Sequence, residues 1–65
     1  MAKKSKFMQV RCMYEGAVYE VRSCIEGVGL HEVVNDRYGR FVYSYPVYTY
    51  ATVADMLADN FMEVK

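Results

Sequence analysis

The alternation of apolar and polar residues predicts a β-hairpin in the first half of the chain. Two runs rich in Val, Tyr, Met and Cys are separated by Glu15 and Gly16, the length of a tight two-residue turn between antiparallel strands. The expected core-face partners are Tyr14 with Ala17, Cys12 with Tyr19, Val10 with Val21, and Met8 with Ser23. The expected solvent-face partners are Arg11 with Glu20 and Gln9 with Arg22.

Two further strands and a helix follow in the pattern. Residues 30–35 alternate as a third strand, turn residues lead to Gly39, and 41–45 reads as a fourth strand. Thr52 is predicted to be the N-cap of a helix, with Asp55 in the first turn. The apolar face of that helix is expected to comprise Val53, Met56, Leu57 and Phe61. Residues 61–64 fit a final short strand.

Residues 41–50, FVYSYPVYTY, hold five of the ten aromatic residues and the single proline. Because proline cannot donate to a strand ladder, Pro46 predicts a one-residue bulge. Such a bulge would return Tyr48 and Tyr50 to the face of Tyr43 and Tyr45, forming an aromatic wall. At least two of these tyrosines are expected to fill the core or to pair across strands.

Length and charge bound the class of protein. The 65 residues predict a basic flexible tail, 1–6, and one small β-rich domain, 7–65. The net charge is zero, but all charged side chains among the first eleven residues are basic. The rest of the chain carries four basic and eight acidic side chains. Without an apolar segment after the lysines, the sequence predicts no signal peptide, no membrane span and a cytoplasmic protein. The high hydrophobic fraction favours a homodimer.

The sequence offers no catalytic set, so the prediction is a protein that is not an enzyme and needs no cofactor or metal. His31 is the only histidine, and it is expected to be a hydrogen-bonded or solvated residue rather than a catalytic base. Asp55 and Asp59 lie one helical turn apart, which is more typical of a solvated acidic face than of a cation site. Cys12 and Cys24 fall on opposite faces of the predicted hairpin, so both are expected to be free thiols.

The aromatic segment supports two binding hypotheses, and a third possibility is a structural subunit whose tyrosine strand pairs edge to edge with its own copy. Tyrosine flanked by arginine is typical of protein-binding surfaces. The predicted partner-binding residues are Tyr43, Tyr45, Tyr48, Tyr50, Arg37 and Arg40. Alternatively, the same rings could stack on the bases of single-stranded nucleic acid, with phosphate contacts from the tail. The tail residues in question are Lys3, Lys4 and Lys6.

Several short motifs resemble small SH3-like barrel proteins encoded by bacteriophages and their hosts. They are Val10-x-Cys12, Gly16 with Tyr19-Glu20-Val21, Glu32-Val33-Val34-Asn35-Asp36 with Gly39, and Phe61-Met62-Glu63-Val64. Together they touch about half the chain and concern turn and core positions. The segment 47–59 departs from the pattern as an added arm and helix.

The predicted fold is therefore mainly β (α+β), a small SH3-like barrel or curved antiparallel sheet of four to five strands with one short C-terminal helix. The resemblance implies a phage-type accessory protein that binds and inhibits or modulates a host protein in the host cytoplasm. Nucleic acid is the alternative partner, and no membrane partner is expected.

Overall fold

The protein is an open antiparallel sheet of six strands with one short helix. A computed structural model describes residues 8–64. The strands are β1 (Gln9–Cys12), β2 (Val18–Cys24), β3 (Gly27–Asp36), β4 (Gly39–Val42), β5 (Tyr48–Tyr50) and β6 (Phe61–Glu63), and the helix α1 (Val53–Leu57) lies between β5 and β6. The order across the sheet is β4-β3-β2-β1-β6, and β5 also pairs with β3. The mainly β prediction is confirmed, with six strands rather than four to five.

The β1–β2 hairpin forms, but its predicted register is wrong by two residues. Val10 pairs with Tyr19 instead of Val21. The turn is longer than predicted because the amide of Gly16 donates to the carbonyl of Cys12, at 2.7 Å, and the amide of Cys12 donates to the carbonyl of Ala17. A shift by two residues leaves every side chain on its face.

The predicted core face of this hairpin is therefore largely correct. Val10, Cys12, Tyr19 and Val21 are all buried in the core cluster. On the other face, the predicted pairing of Arg11 with Glu20 is replaced by Arg11 with Val18 and Gln9 with Glu20. Nη2 of Arg22 lies 3.6 Å from Oε1 of Glu20, which is on the same strand. Tyr14, expected on the core face, lies in the loop and is exposed.

β4 and β5 lie along the same edge of β3 and are separated by a large bulge. Val42 pairs with Val33, whereas Tyr48 pairs with Leu30. From Val42 to Tyr48 the chain advances six residues, whereas their partners on β3, Val33 and Leu30, are three residues apart. The bulge therefore contains three extra residues rather than the predicted one. An odd number keeps the predicted face relation between Tyr43 and the two tyrosines of β5.

The sheet curls so that side chains from its two edges meet. The ring of Phe61 in β6 lies 5.6 Å from that of Tyr48 and 6.1 Å from that of Tyr50, both in β5. These edge-to-face contacts are favourable for aromatic rings. Within residues 8–64, no hydrogen-bonded pairing of β5 with β6 closes the sheet into a barrel.

The helix fills the remaining gap over the core. Thr52 is its N-cap, and its hydroxyl accepts a hydrogen bond from the amide of Asp55 at 3.1 Å, as predicted. A five-residue helix is unstable alone, so its position depends on docking. Met56 supplies that contact because it is fully buried, whereas Val53 and Leu57 are 37% and 41% exposed. Phe61, expected on the same helical face, lies in β6 instead. The segment after Pro46 therefore packs on its own sheet.

Candidate partner-binding surface

The bulge between β4 and β5 is held at both ends by hydrogen bonds to β3. The amide of Tyr43 donates to the carbonyl of Glu32 at 3.0 Å, and the amide of Val47 donates to the carbonyl of Leu30 at 2.7 Å. Between them, Nδ1 of the buried His31 donates to the carbonyl oxygen of Tyr43 at 2.9 Å. The protruding loop therefore has a defined base.

Pro46 covers the back of β3 at the same place. A Cβ atom added to the buried Gly29 would lie 3.0 Å from the Cβ of Pro46, a contact tighter than ordinary packing. A residue without a side chain thus allows the bulge to lie against the strand. His31 and Gly29 together position Tyr43 and Tyr45, a support that sequence reasoning did not find because it depends on non-local pairing.

The four predicted tyrosines separate into two groups. Tyr43 and Tyr45 are exposed, at 47% and 82% respectively. Tyr48 and Tyr50 are half-buried and pack against the core cluster. The expectation that at least two of the four serve the core is confirmed, and the rings most available to a partner are those of Tyr43 and Tyr45.

The β3–β4 turn adds further exposed residues. Arg37 and Tyr38 form the tip, where the Asp36 carboxylate accepts a hydrogen bond from the amide of Tyr38 at 2.9 Å. The guanidinium carbon of Arg37 lies 5.7 Å from the centroid of the Tyr38 ring, a distance at which a cation and an aromatic ring attract. Tyr38 is 88% exposed.

Phe41 completes this surface. Its ring lies 5.4 Å from that of Tyr43 in an edge-to-face arrangement, and nearly half of it is exposed. We call the exposed set the aromatic hairpin, and it consists of Arg37, Tyr38, Arg40, Phe41, Tyr43 and Tyr45. Phe41 and Tyr38 were missed as site residues, although their neighbours in the sequence, Arg37 and Arg40, were predicted.

A second group of tyrosines lies where the sheet edges meet. The hydroxyl of Tyr50 donates to the carboxylate of Asp59 at 2.6 Å. Burial is the main cause that raises the pKa of Tyr50 well above its ordinary value, and this hydrogen bond is the second.

Two other tyrosines near this edge also have raised pKa values. A hydrogen bond with the Cys12 side chain raises the pKa of Tyr14 to about 12. Burial and the adjacent Tyr48 raise the pKa of Tyr19 to about 12. These hydroxyls stay protonated at neutral pH and act as hydrogen-bond donors rather than bases.

The charge of the described region is uneven. Residues 8–64 contain four arginines and eight carboxylates, and two of those arginines, Arg37 and Arg40, belong to the aromatic hairpin. Asp36 flanks Arg37 at the turn and accepts the Tyr38 amide, so the positive charge of the aromatic hairpin is concentrated at Arg40, and the rest of the described region is acidic. The predicted nucleic-acid contacts Lys3, Lys4 and Lys6 lie outside the described residues.

The same region offers few other chemical groups. Cys12 is buried, Cys24 is half-buried, and both are free thiols. No group of three or more His, Cys, Asp or Glu residues in the described part of the chain could hold a metal ion. Between residues 8 and 64, no helix is long and apolar enough to cross a membrane.

Comparison of the chain with protein-family models, with curated proteins and with solved structures found no match.

Proposed function

We propose that this is a non-enzymatic binding protein that recognises a protein partner through the aromatic hairpin. The observation that carries the proposal is the exposure of Tyr38, Phe41, Tyr43 and Tyr45 on one continuous hairpin and bulge. Aromatic residues and arginine are the residue types most enriched at protein-binding hot spots. A bulge with hydrogen bonds at both ends also reduces the entropy lost on binding.

Charge favours a protein over nucleic acid. Platforms for single-stranded nucleic acid combine aromatic rings with an extended basic groove, whereas among residues 8–64 the aromatic hairpin contributes two basic residues, Arg37 and Arg40. Two arginines are sufficient for a protein surface. The β5 tyrosines are also poorly placed to stack on bases because their rings already contact Phe61.

The resemblance to small SH3-like phage proteins supports a more specific form of the proposal. The curled open sheet, whose two edges meet through aromatic contacts, is compatible with that resemblance. The partner is then a host protein, and occupation of its surface inhibits or modulates it. Fold and size alone carry many functions, so the binding surface must be tested directly.

The test is affinity purification from a lysate of the host or source cells with three forms of the chain. The wild type and the control variant Ile25→Ala should retain the same protein partner, because Ile25 is fully exposed in the β2–β3 turn, outside the aromatic hairpin. The double variant Phe41→Ala/Tyr43→Ala should lose that partner while remaining folded by circular dichroism.

Retention of the partner by the double variant would show that the aromatic hairpin is not the binding surface. A nucleic-acid partner would instead be recognised by a steep loss of affinity with salt and by its dependence on residues 1–6. Either result would overturn the proposed function.

A further inference from the structure

β4 has a free backbone edge. Because the amide of Tyr43 donates to Glu32 and antiparallel ladders alternate, the hydrogen-bonding groups of Phe41 and Gly39 point towards β3. Those of Arg40 and Val42 therefore point away from the sheet. β4 is the last strand in the sheet order, so in residues 8–64 no strand pairs with that side.

We infer that the partner contributes an extended acidic segment that adds to β4 as a further strand. The inference rests on the proposed function, because it specifies how the aromatic hairpin holds its partner. Strand addition uses backbone hydrogen bonds for affinity and alternate side chains for specificity. Here Arg40 and Val42 would supply two amides and two carbonyls.

The side chains of β4 specify what such a segment must carry. Phe41 and Tyr43 lie on one face of the hairpin, where their rings contact each other. Arg40 lies on the opposite face, next in the alternation. A matching strand therefore presents apolar residues towards the two rings and an acidic residue towards Arg40, whereas the charge of Arg37 at the tip is offset by the neighbouring Asp36.

A second copy of this chain fits the edge less well. If two β4 strands paired antiparallel about Phe41, each Arg40 would face Val42 of the other copy, and the two arginines would be diagonal neighbours at roughly 7–8 Å. Like charges at that distance repel each other and, at strand edges, commonly prevent self-pairing. An acidic partner segment converts the same arginines into attractive contacts.

The probe for this inference is a displayed library of random linear peptides, selected against the full-length protein. We expect enrichment of peptides that alternate apolar and acidic residues. The peptides should bind the variant Val42→Pro about tenfold or more weakly, because proline removes one outward amide and its ring obstructs the incoming strand. Proline is tolerated on edge strands where the amide faces solvent, so the β3 pairing should persist.

The control variant Val42→Ala removes the side chain but keeps the amide, and it should bind the selected peptides like the wild type. If Val42→Pro does not fold, amide hydrogen exchange in the wild type gives the same information. A selected peptide should slow exchange at Arg40 and Val42 by about tenfold or more, as expected for newly protected strand amides.

Several outcomes would overturn strand addition: no enrichment, enrichment of basic or non-alternating peptides, or unchanged exchange at both amides. Binding that is lost in Phe41→Ala/Tyr43→Ala but kept in Val42→Pro would retain the aromatic hairpin as the site and reject the strand. Binding that neither variant alters would reject both. Light scattering across a dilution series would reveal β4 pairing between two copies, which would also contradict the inference.

Discussion

His31 and Tyr43 are twelve residues apart in sequence, yet Nδ1 of the buried histidine donates a hydrogen bond to the tyrosine carbonyl at 2.9 Å. The histidine is thereby satisfied on β3, and the bulge that carries Tyr45 gains a fixed point at its start. A residue with no apparent catalytic partner in the sequence thus acts as a positioning residue for the aromatic hairpin.

The hydrogen bond between His31 and Tyr43 should contribute to stability. His31→Ala should lower the free energy of unfolding by about 1–3 kcal/mol, because a buried hydrogen bond and its packing are lost. It should also speed amide exchange at Val47, the far end of the bulge. Asn35→Ala is the matched control, since Asn35 is exposed on the same face of β3, and it should change neither quantity. Equal effects of both variants would contradict the positioning role.

Gly27 and Gly39 allow a matched test of backbone crowding. Both have similar positive φ angles, 134° and 130°, but a Cβ atom at Gly27 would collide with the carbonyl of Ala51, whereas at Gly39 it would meet nothing within 4 Å.

Gly39→Ala should therefore cost about 1–3 kcal/mol from backbone strain alone. Gly27→Ala should cost clearly more, or prevent folding, because β5 must move away from β3. Urea unfolding of the two variants measures the difference. Similar stabilities would mean that β5 can leave β3 at little cost.

The raised pKa of Tyr19 should make the stability of the protein depend on alkaline pH. Its ordinary pKa is 10.0, and burial with the adjacent Tyr48 raises it to about 12 in the folded protein. The folded state therefore holds the proton over a range in which the unfolded state releases it. The resulting contribution to stability, roughly 3 kcal/mol, is fully present below pH 10 and is lost as the pH rises to 12.

The test is the free energy of unfolding measured between about pH 9 and 12, the range in which tyrosine side chains titrate. Phenolate absorbance reports their ionisation over the same range. In Tyr19→Phe the decline of stability with pH should be shallower, because the remaining ring has no proton to lose. A decline of the same steepness in both proteins would show that Tyr19 does not carry the effect.

Tyr50 and Asp59 link the strand before α1 to the turn after it. Tyr50→Phe removes the 2.6 Å hydrogen bond but keeps the ring against Phe61, so we expect a loss of only about 0.5–1.5 kcal/mol. Tyr50→Ala should cost about 3 kcal/mol or more, because the ring contact is lost as well. Thermal unfolding distinguishes the two, and an equal loss in both variants would assign all of the effect to the hydroxyl.

Much of the local structure could be predicted because its causes are local. The Thr52 cap depends on one hydroxyl and a nearby amide. The core faces of β1 and β2 follow from a period of two, which holds whatever the register. The register itself was wrong because a two-residue slip conserves every face, so the pattern of Val10, Cys12, Tyr19 and Val21 cannot distinguish the two pairings.

The candidate surface was predictable only in part for a related reason. Arg37, Arg40, Tyr43 and Tyr45 are exposed as a partner-binding surface requires, whereas Tyr48 and Tyr50 pack against the core. All four residues are tyrosines at similar spacing along the segment, so the sequence alone does not distinguish the exposed pair from the half-buried pair. What separates them is whether Phe61 and Tyr19, distant in sequence, lie beneath the ring.

By itself the amino-acid sequence determined the mainly β class, the helix cap and the inward faces of β1 and β2, since these follow from periodicity and from contacts between near neighbours. Only the tertiary structure decided the hairpin register, the three extra residues of the bulge, the support from His31 and the division of the tyrosines. Those features arise from pairings between residues far apart in the chain. Which of the alternative pairings has the lowest free energy depends on the whole assembled sheet.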